Sequence, residues 1–596
     1  MTTETKAAPK KIPQRSDIDE KLTWNLADIY PSDEAWEEEF KQAKTLIDKA
    51  GEFAGKLDHS PQTLYKCLKA RSDLGLICSC LYQYAHLNRD LDNRQSEYQA
   101  MSDRAANLNS EAAAAFSYVE PELLKLDEAR LLEMAGQFEK TDEYDFYIKE
   151  LIRSRKHVRS EEVEELLAQS AVMARGAESI FTMLNDADLK YPTIKDEDGN
   201  EVTLTKQRFA KFMESSDRRV RKDAHEAFYS VYRDHLNTTG AALASGVNRD
   251  LFYSRARKFD NCLHAALDGD NIPSQVYHSL IKTTESQLDG LHHYVALRKR
   301  LLKLDEIKMY DLLCPLFPER DYEVPYDQAV QQTIEALQPL GADYLSTLKR
   351  GFDSRWVDVL ESEGKGSGAY SWGNYRVHPF VLMNYNDTVD NMFTLAHELG
   401  HALHSFHSNK TQPYPKAQYS IFVAEVASTL NEGLLMQQLL SKATDKLDKL
   451  YFLNRYVDNT VGTYFNQVMY AHFELEIHER VERGEALSPD MLNELWGELI
   501  QKYFGPELSL DDLSKLKWSR VPHFYLNFYV FQYATSYAAS QAILDKFLAG
   551  EEGLVERYLK LISSGGNNHP IEQLKLCGID MTTPAPVEAT LKLFAD

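Results

Sequence analysis

The feature that most constrains this chain is a five-residue pattern, His397-Glu398-x-x-His401, inside the apolar segment 393–404. Residues four apart lie one turn above each other on the same face of an α-helix, so the two imidazoles can point at one ion. An amphipathic helix with two buried, hydrogen-bonded histidines produces the same pattern. A metal site is therefore inferred only if the chain supplies a further ligand.

A carboxylate on the following helix is the third ligand that we predict. Pro413 and Pro415 end the first helix, and a second helical segment follows. Glu425 stands 28 residues after His397 among Ala, Val and Phe residues, where an unpaired carboxylate is costly. Two histidines and a carboxylate form a catalytic zinc set with one position left for water. Glu398 could take a proton from that water.

His407 is the competing third ligand. It stands ten residues after the first histidine, which is the metzincin spacing. That class needs glycine at position 404, where the chain leaves the helix sharply, and this chain has His404 instead. We therefore favour Glu425, with His407 as the alternative. Ser428 and Glu432 share the predicted face of Glu425 and could hydrogen-bond the ligand histidines, although Glu432 also fits a surface carboxylate.

Composition narrows the classes of function. The formal net charge of −24 argues against binding to a phosphate backbone. The sequence has no run of about 18 apolar residues, so no membrane span is predicted, and its first residues do not resemble a secretory signal. Six scattered cysteines without paired metal spacing are typical of free thiols in a reducing cytoplasm. We therefore expect a cytoplasmic protein without nucleic-acid partners.

Helical periodicity dominates the chain and predicts a mainly α fold. We predict a disordered N-terminus over residues 1–20, an N-terminal helical domain over 21–200, and a domain carrying the metal motif over 201–596. The boundary is placed near Asp198-Gly199, which lies between two extended segments and predicts a β-hairpin.

Residues 378–385 form an apolar segment that predicts a strand directly before the metal helix. A small β-sheet is therefore expected beside that helix. A peptide could be held there by strand addition, and we expect Val381 and Met383 to contact it. A buried strand without any ligand fits the same segment.

These residues resemble oligoendopeptidase F, of the thimet-oligopeptidase type of metallopeptidases. The likeness covers most of the chain, and the metal motif is its most specific part. The segments that carry it are His397–His404, Ala424–Thr429, Leu22–Pro31, 378–385, Pro522–Tyr525 and Cys577–Met581.

The resemblance implies a mostly helical, ellipsoidal fold split by a deep central channel, with zinc at its base. It implies an endopeptidase that cuts unfolded oligopeptides rather than folded proteins. It also implies one Zn²⁺ per chain, held by His397, His401 and Glu425, with Glu398 as the catalytic base.

An aromatic segment near the C-terminus is the second constellation. Tyr525, Tyr529, Tyr533 and Tyr537 recur every four residues, which predicts one face of a helix. A packed aromatic face fits this spacing as well. The resemblance implies that His523 and Tyr529 face the zinc and bind the tetrahedral intermediate, and that Tyr533 is the next candidate, in contact with substrate.

Two other functions stay open. One is a zinc exopeptidase, either a carboxypeptidase or an aminopeptidase, although the sequence lacks the Gly-x-Met-Glu-Asn motif that often holds a free amine. The other is a helical protein that binds peptides without cutting them. Cobalt or manganese could occupy the same ligands as zinc. The sequence predicts nothing about the oligomeric state.

Overall fold

The first third of the chain is a series of helices joined by short connections. The computed structural model describes residues 12–317 and 322–596. Ser32 caps the first helix by accepting a hydrogen bond from the Ala35 N–H at 3.4 Å. Asp127 caps another of these helices by accepting a hydrogen bond from the Arg130 N–H at 2.8 Å. The helices are α1 (Asp33–Lys49), α2 (Pro61–Leu91), α3 (Ser96–Ala115), α4 (Val119–Lys125), α5 (Glu128–Ala135), α6 (Asp145–Ser154), α7 (Glu161–Ala174) and α8 (Gly176–Thr182).

Part of the predicted N-terminal disorder is wrong. Residues 1–11 lie outside the described residues, but 12–20 include short 3₁₀ turns. Arg15 Nη2 lies 2.7 Å from Asp358 Oδ2, and Lys365 Nζ lies 2.7 Å from the other oxygen of this buried carboxylate. A buried carboxylate needs such partners, and the composition of the N-terminus could not reveal one that lies 343 residues away.

The predicted hairpin is confirmed. Strands β1 (Thr193–Lys195) and β2 (Glu201–Thr203) pair antiparallel, and Gly199 supplies the positive φ of 83° that the turn requires. Helices then resume. They are α9 (Lys206–Met213), α10 (Arg218–Asp234), α11 (Leu236–Ala256), α12 (Cys262–Leu267), α13 (Ser274–Glu285), α14 (Asp289–Leu301), α15 (Tyr326–Ala336) and α16 (Ala342–Asp353).

A three-stranded sheet lies between the two largest cores. Its central strand pairs parallel with one neighbour and antiparallel with the other. Phe380 and Leu382 of the central strand enter the core of the N-terminal helices, whereas Val381 and Met383 enter the core of the remaining helices. In sequence order the strands are β3 (Val357–Leu360), β4 (Tyr370–Trp372) and β5 (Phe380–Tyr385), and their spatial order is β3-β5-β4.

The structure corrects the prediction that Val381 and Met383 contact a peptide. Their exposed fractions are 0% and 1%. Both edges of β5 are already paired, so its backbone has no groups left for an added strand. The apolar run that suggested a binding strand instead reflects burial on both faces.

The remaining chain is helical, and the mainly α fold with a small sheet is confirmed. No helix in the described ranges is long and apolar enough to cross a membrane. The domain boundary near residue 200 and the central channel stay predictions. The helices are α17 (Val389–Thr411), α18 (Ile421–Lys442), α19 (Lys446–Thr460), α20 (Asn466–Glu482), α21 (Pro489–Phe504), α22 (Phe531–Leu548), α23 (Leu554–Ile562), α24 (Pro570–Leu574) and α25 (Ala585–Ala595).

Candidate metal centre

Helices α17 and α18 touch each other through their backbones at Gly400. A Cβ atom at this position would lie 2.5 Å from the Cα of Ser428 and 2.7 Å from the carbonyl oxygen of Ala427, distances that no side chain tolerates. The glycine therefore permits the close crossing. The crossing brings the histidines of the motif on α17 opposite Glu425 on α18.

Three side chains meet at this crossing with the geometry of a metal site. The Nε2 atoms of His397 and His401 each lie 3.4 Å from Glu425 Oε2 and 3.2 Å from each other. Ligand atoms bound at zinc distances to a tetrahedral ion are about 3.3 Å apart. The structure thus brings all three predicted ligands together at the spacing that one small divalent cation needs.

Neighbouring groups on α18 orient two of these ligands. Glu432 Oε1 lies 2.5 Å from His397 Nδ1, so that Nδ1 donates and Nε2 keeps the lone pair that binds a metal. Ser428 Oγ donates to Glu425 Oε2 at 2.9 Å. Ser428 therefore supports the carboxylate ligand and not a histidine, and Glu432 belongs to the site and not to the surface.

The acids and imidazoles of the site shift each other's pKa values. Burial opposes a charge on His397, but the adjacent Glu432 carboxylate outweighs it and raises the pKa of His397 to about 9. Burial likewise opposes a charge on Glu425, yet the two imidazoles lower its pKa to about 2. A cation bound here would displace the imidazole protons, so metal affinity falls as the solution becomes acidic.

Glu398 directly follows the ligand candidate His397 on α17 and is almost fully buried. Its exposed fraction is 7%. Burial raises its pKa above the ordinary value, although the positive charges of His397 and His401 act in the opposite direction. A carboxylate whose pKa is raised is a stronger base, as proton transfer near neutral pH requires.

The alternative ligand His407 lies apart from the triad. Its ring faces Tyr344 at a centroid distance of 6.2 Å, and burial lowers its pKa to about 4. The neighbouring His404 stacks on Tyr419 at 3.6 Å. His404 is therefore buried in the protein core. The helix continues past it to Thr411, as we expect when position 404 is not a glycine.

A second group of possible metal ligands lies elsewhere in the described part of the chain. It consists of His157, His264 and Asp268. Asp268 Oδ1 lies 2.7 Å from Arg153 Nη1, so the carboxylate is already neutralised by a guanidinium. Among the residues that the structure describes, Glu425 pairs with the two imidazoles and with no Lys or Arg, so its triad is the better metal site.

The tyrosine spacing predicts one continuous helix over the aromatic segment, and the structure shows that this prediction is wrong. Helix α22 begins only at Phe531, because Asn527 and Phe528 adopt left-handed backbone angles with φ of 45° and 56°. Tyr525 stacks on Phe181 at 4.6 Å, and the hydroxyl of Tyr537 bonds to another buried hydroxyl. These two tyrosines are therefore structural.

The turn brings the other three aromatic residues into one cluster. The rings of His523 and Tyr529 lie nearly parallel with centroids 5.9 Å apart. Tyr533 lies 6.1 Å from His523 and 5.5 Å from Tyr529. Burial, followed by the hydrogen bond with Tyr529 and the charges of Tyr529 and Glu425, raises the pKa of Tyr533. Burial lowers the pKa of His523, so this imidazole is neutral at pH 7.

Sequence reasoning missed two features outside the triad. The first is β4, which has a free edge because β5 occupies only its other side. The second is Glu474, which lies in an apolar stretch of α20 and is fully buried. Glu474, like Glu425, is a carboxylate among apolar helical neighbours, and this signal could have identified it.

Comparison with known proteins agrees with this geometry. Residues 211–593 match peptidase family M3, and residues 122–191 match the family described as Oligopeptidase F. Oligopeptidase PepF of Bacillus subtilis is 43% identical over all of this chain and 89% of its own length. A crystal structure from Chlamydophila abortus superposes with a TM-score of 0.89 at 32% identity, covering 98% of this chain and 99% of that one.

A second crystal structure, oligoendopeptidase-F of Enterococcus faecium, superposes with a TM-score of 0.74 at 32% identity and covers 94% of this chain and 97% of that one. A His-Glu-x-x-His helix crossed by a glutamate helix defines a metal-dependent peptidase. The chain belongs to peptidase family M3, and its relatives place it in the oligoendopeptidase F branch. It is a metalloendopeptidase.

Proposed function

We propose that this protein is a zinc-dependent endopeptidase that hydrolyses internal bonds of short, unfolded oligopeptides, with one Zn²⁺ per chain. The observation that carries the proposal is the triad of His397, His401 and Glu425, whose ligand atoms are 3.2–3.4 Å apart. Hard–soft chemistry supports zinc, because two imidazoles and one carboxylate are the ligands of many catalytic zinc sites. The names of the relatives support an oligopeptide substrate.

Glu398 acts as the general base and then as the general acid. When bound, a divalent cation supplies Lewis-acid polarisation of the scissile carbonyl and lowers the pKa of a water. Glu398 accepts the proton of this water, and its raised pKa favours that acceptance. It then gives the proton to the departing amine. Glu432 keeps His397 in the tautomer that binds a metal through Nε2.

His523 and Tyr529 are proposed to stabilise the developing oxyanion. His523 is neutral because burial lowers its pKa, and it can donate from one ring nitrogen. Tyr529 is partly exposed and carries a hydroxyl beside it. A donor placed in this way is worth about 2.7–4 kcal/mol in an acyl-transfer transition state. Tyr533 is proposed to contact the substrate. The charge of Glu425 is one of the causes that raise the pKa of Tyr533.

The substrate is proposed to pair with the free edge of β4 rather than with β5. The end of β4 touches the metal helix, since a Cβ atom at Gly373 would lie 2.6 Å from the Cβ of Ser405. Tyr370, Ser371 and Trp372 are partly exposed. An extended peptide that adds to this edge would be held by backbone hydrogen bonds, which suits an enzyme that accepts varied sequences.

Digestion of a peptide blocked at both ends tests the proposal. Mass spectrometry should show internal cleavage that a chelator abolishes and added Zn²⁺ restores. An exopeptidase would leave the blocked peptide intact, and a protein that only binds peptides would cut neither form. The variant Glu398→Gln should retain zinc, measured by elemental analysis, and lose at least roughly 10³-fold in kcat.

Glu556→Gln is the matched control, because Glu556 is exposed on α23 and should leave kcat unchanged. Retention of full activity by Glu398→Gln would exclude Glu398 as the base. We also propose a cytoplasmic location, which the six buried free cysteines and the bacterial relatives support.

A further inference from the structure

Glu474 on α20 is a fully buried carboxylate outside the metal centre. Its exposed fraction is 0%. Oε1 accepts a hydrogen bond from the Phe528 N–H at 2.6 Å, and Oε2 has no hydrogen-bond partner among the described residues. Burying a carboxylate costs free energy that one hydrogen bond does not recover. An apolar side chain would fill this space at a lower cost. The hydrogen bond to Phe528 is therefore the contact that can explain a glutamate at this position.

The bond holds a strained turn. Asn527 and Phe528 have φ of 45° and 56°, a left-handed conformation that Cβ atoms disfavour. Phe528 is the more costly of the two, because only glycine and, less readily, asparagine adopt this region often. The turn lies between His523 and Tyr529, whose rings are nearly parallel with centroids 5.9 Å apart.

A second charged side chain, which is partly exposed, bonds to the other end of the turn. Arg249 on α11 donates from Nη2 to the carbonyl oxygen of Tyr525 at 3.0 Å, while its Nε donates to Asp250 at 2.8 Å. The Phe528 ring lies against His478, with centroids 4.5 Å apart. Side chains from two helices therefore hold the backbone before the left-handed pair, at Tyr525, and within it, at Phe528.

We propose that Glu474 is a positioning residue that acts through Tyr529. By holding the Phe528 N–H it places the next residue, Tyr529, so that the hydroxyl points at the oxyanion. This inference rests on the proposed function, in which Tyr529 donates to the transition state. A displacement of such a donor by about 1 Å can cost on the order of 100-fold in rate, so a buried acceptor at this turn has a large effect on kcat.

Kinetics of two substitutions test the inference. Glu474→Leu removes the acceptor and should lower kcat by about 10-fold or more with KM changed by less than about threefold. Glu474→Gln keeps a carbonyl oxygen for the Phe528 N–H and should stay within about twofold of the parent. Asp311→Asn is the matched control. Asp311 is as buried as Glu474, but it accepts its hydrogen bond from Arg221 and not from the turn at Phe528. It should lose stability but keep kcat.

A double-mutant cycle with Tyr529→Phe separates positioning from a general structural effect. If Glu474 acts through the Tyr529 hydroxyl, Glu474→Leu should lower kcat little further in the Tyr529→Phe background. An equal loss in both backgrounds, or unchanged kcat in Glu474→Leu, overturns the inference. Unchanged kcat in Tyr529→Phe alone instead removes Tyr529 from the proposed function. If Glu474→Leu yields no folded protein, Arg249→Lys replaces it in the double-mutant cycle with Tyr529→Phe. A smaller loss of kcat in the Tyr529→Phe background supports the inference, and an equal loss in both backgrounds overturns it.

Discussion

Buried glutamates perform several different tasks in this protein, and their neighbours decide which. Glu425 faces two imidazoles and is a metal-ligand candidate. Glu398 is buried next to the same imidazoles with a raised pKa, which suits a base. Glu432 bonds to the outer nitrogen of His397. Residue type and helical spacing selected Glu398 and Glu425 and left Glu432 open, and the hydrogen bond to His397 places Glu432 in the site.

Substitution of Glu432 tests the role of an outer partner. Glu432→Ala removes the acceptor of the His397 Nδ1–H, so that the ring can rotate or change tautomer. We expect zinc affinity to fall by roughly 10–100-fold, measured by competition with a chromophoric chelator. Lys442→Ala on the same helix, at its exposed end, is the control. Equal zinc affinity in Glu432→Ala and the parent would show that the bond does not support the metal.

The crossing of α17 and α18 is the element on which the metal site depends. Each helix follows from its own sequence, through the Thr388 cap of α17 and the Ser420 cap of α18. Their relative placement does not follow from either cap. It depends on Gly400, where the backbones approach more closely than any side chain permits.

Gly400→Ala should therefore open the crossing. We expect it to destabilise the protein by roughly 1–3 kcal/mol and to weaken zinc binding, because the Glu425 carboxylate moves away from both imidazoles. Thermal unfolding and zinc titration measure the two effects. Gly462→Ala is the control, since nothing lies within 4 Å of a Cβ atom there and a helical alanine is intrinsically favoured. Equal thermal midpoints for the two variants would contradict the close approach.

Across the whole molecule, β5 contributes side chains to two cores, one on each of its faces. Its even-numbered residues Phe380 and Leu382 pack with the N-terminal helices, and its odd-numbered residues pack with the catalytic helices. A strand buried on both faces is uniformly apolar, and this uniformity suggested a ligand-binding strand. Burial of the Glu474 carboxyl lowers the free energy of unfolding of the whole molecule.

The Glu474 carboxyl makes that stability depend on pH. Burial, opposed by the charge of His478 and increased by that of Asp250, raises its pKa to about 7. Between the ordinary glutamate pKa and about 7, the folded protein keeps a proton that the unfolded chain releases, so stability falls as the pH rises. Glu474→Gln cannot ionise. It should be more stable than the parent at pH 8, by on the order of 3 kcal/mol, and equally stable below pH 4.

Thermal midpoints at several pH values measure this difference. Glu476→Gln, a partly exposed neighbour on the same helix, is the control and should show the same pH profile as the parent. A constant difference between Glu474→Gln and the parent from pH 4 to pH 8 would show that Glu474 does not titrate with a raised pKa.

Local sequence by itself determined the helical fold, the hairpin near residue 199, and the placement of His397 and His401 one turn apart on α17. These features depend on spacing within a helix or on one turn, and such short-range geometry follows from residue type. Only the tertiary structure decided that β5 is the central strand, that Asn527 and Phe528 interrupt the aromatic helix, and that Glu474 holds Phe528. Periodicity shows which face of an element is buried, but the partner it is buried against is chosen by packing between segments far apart in the chain.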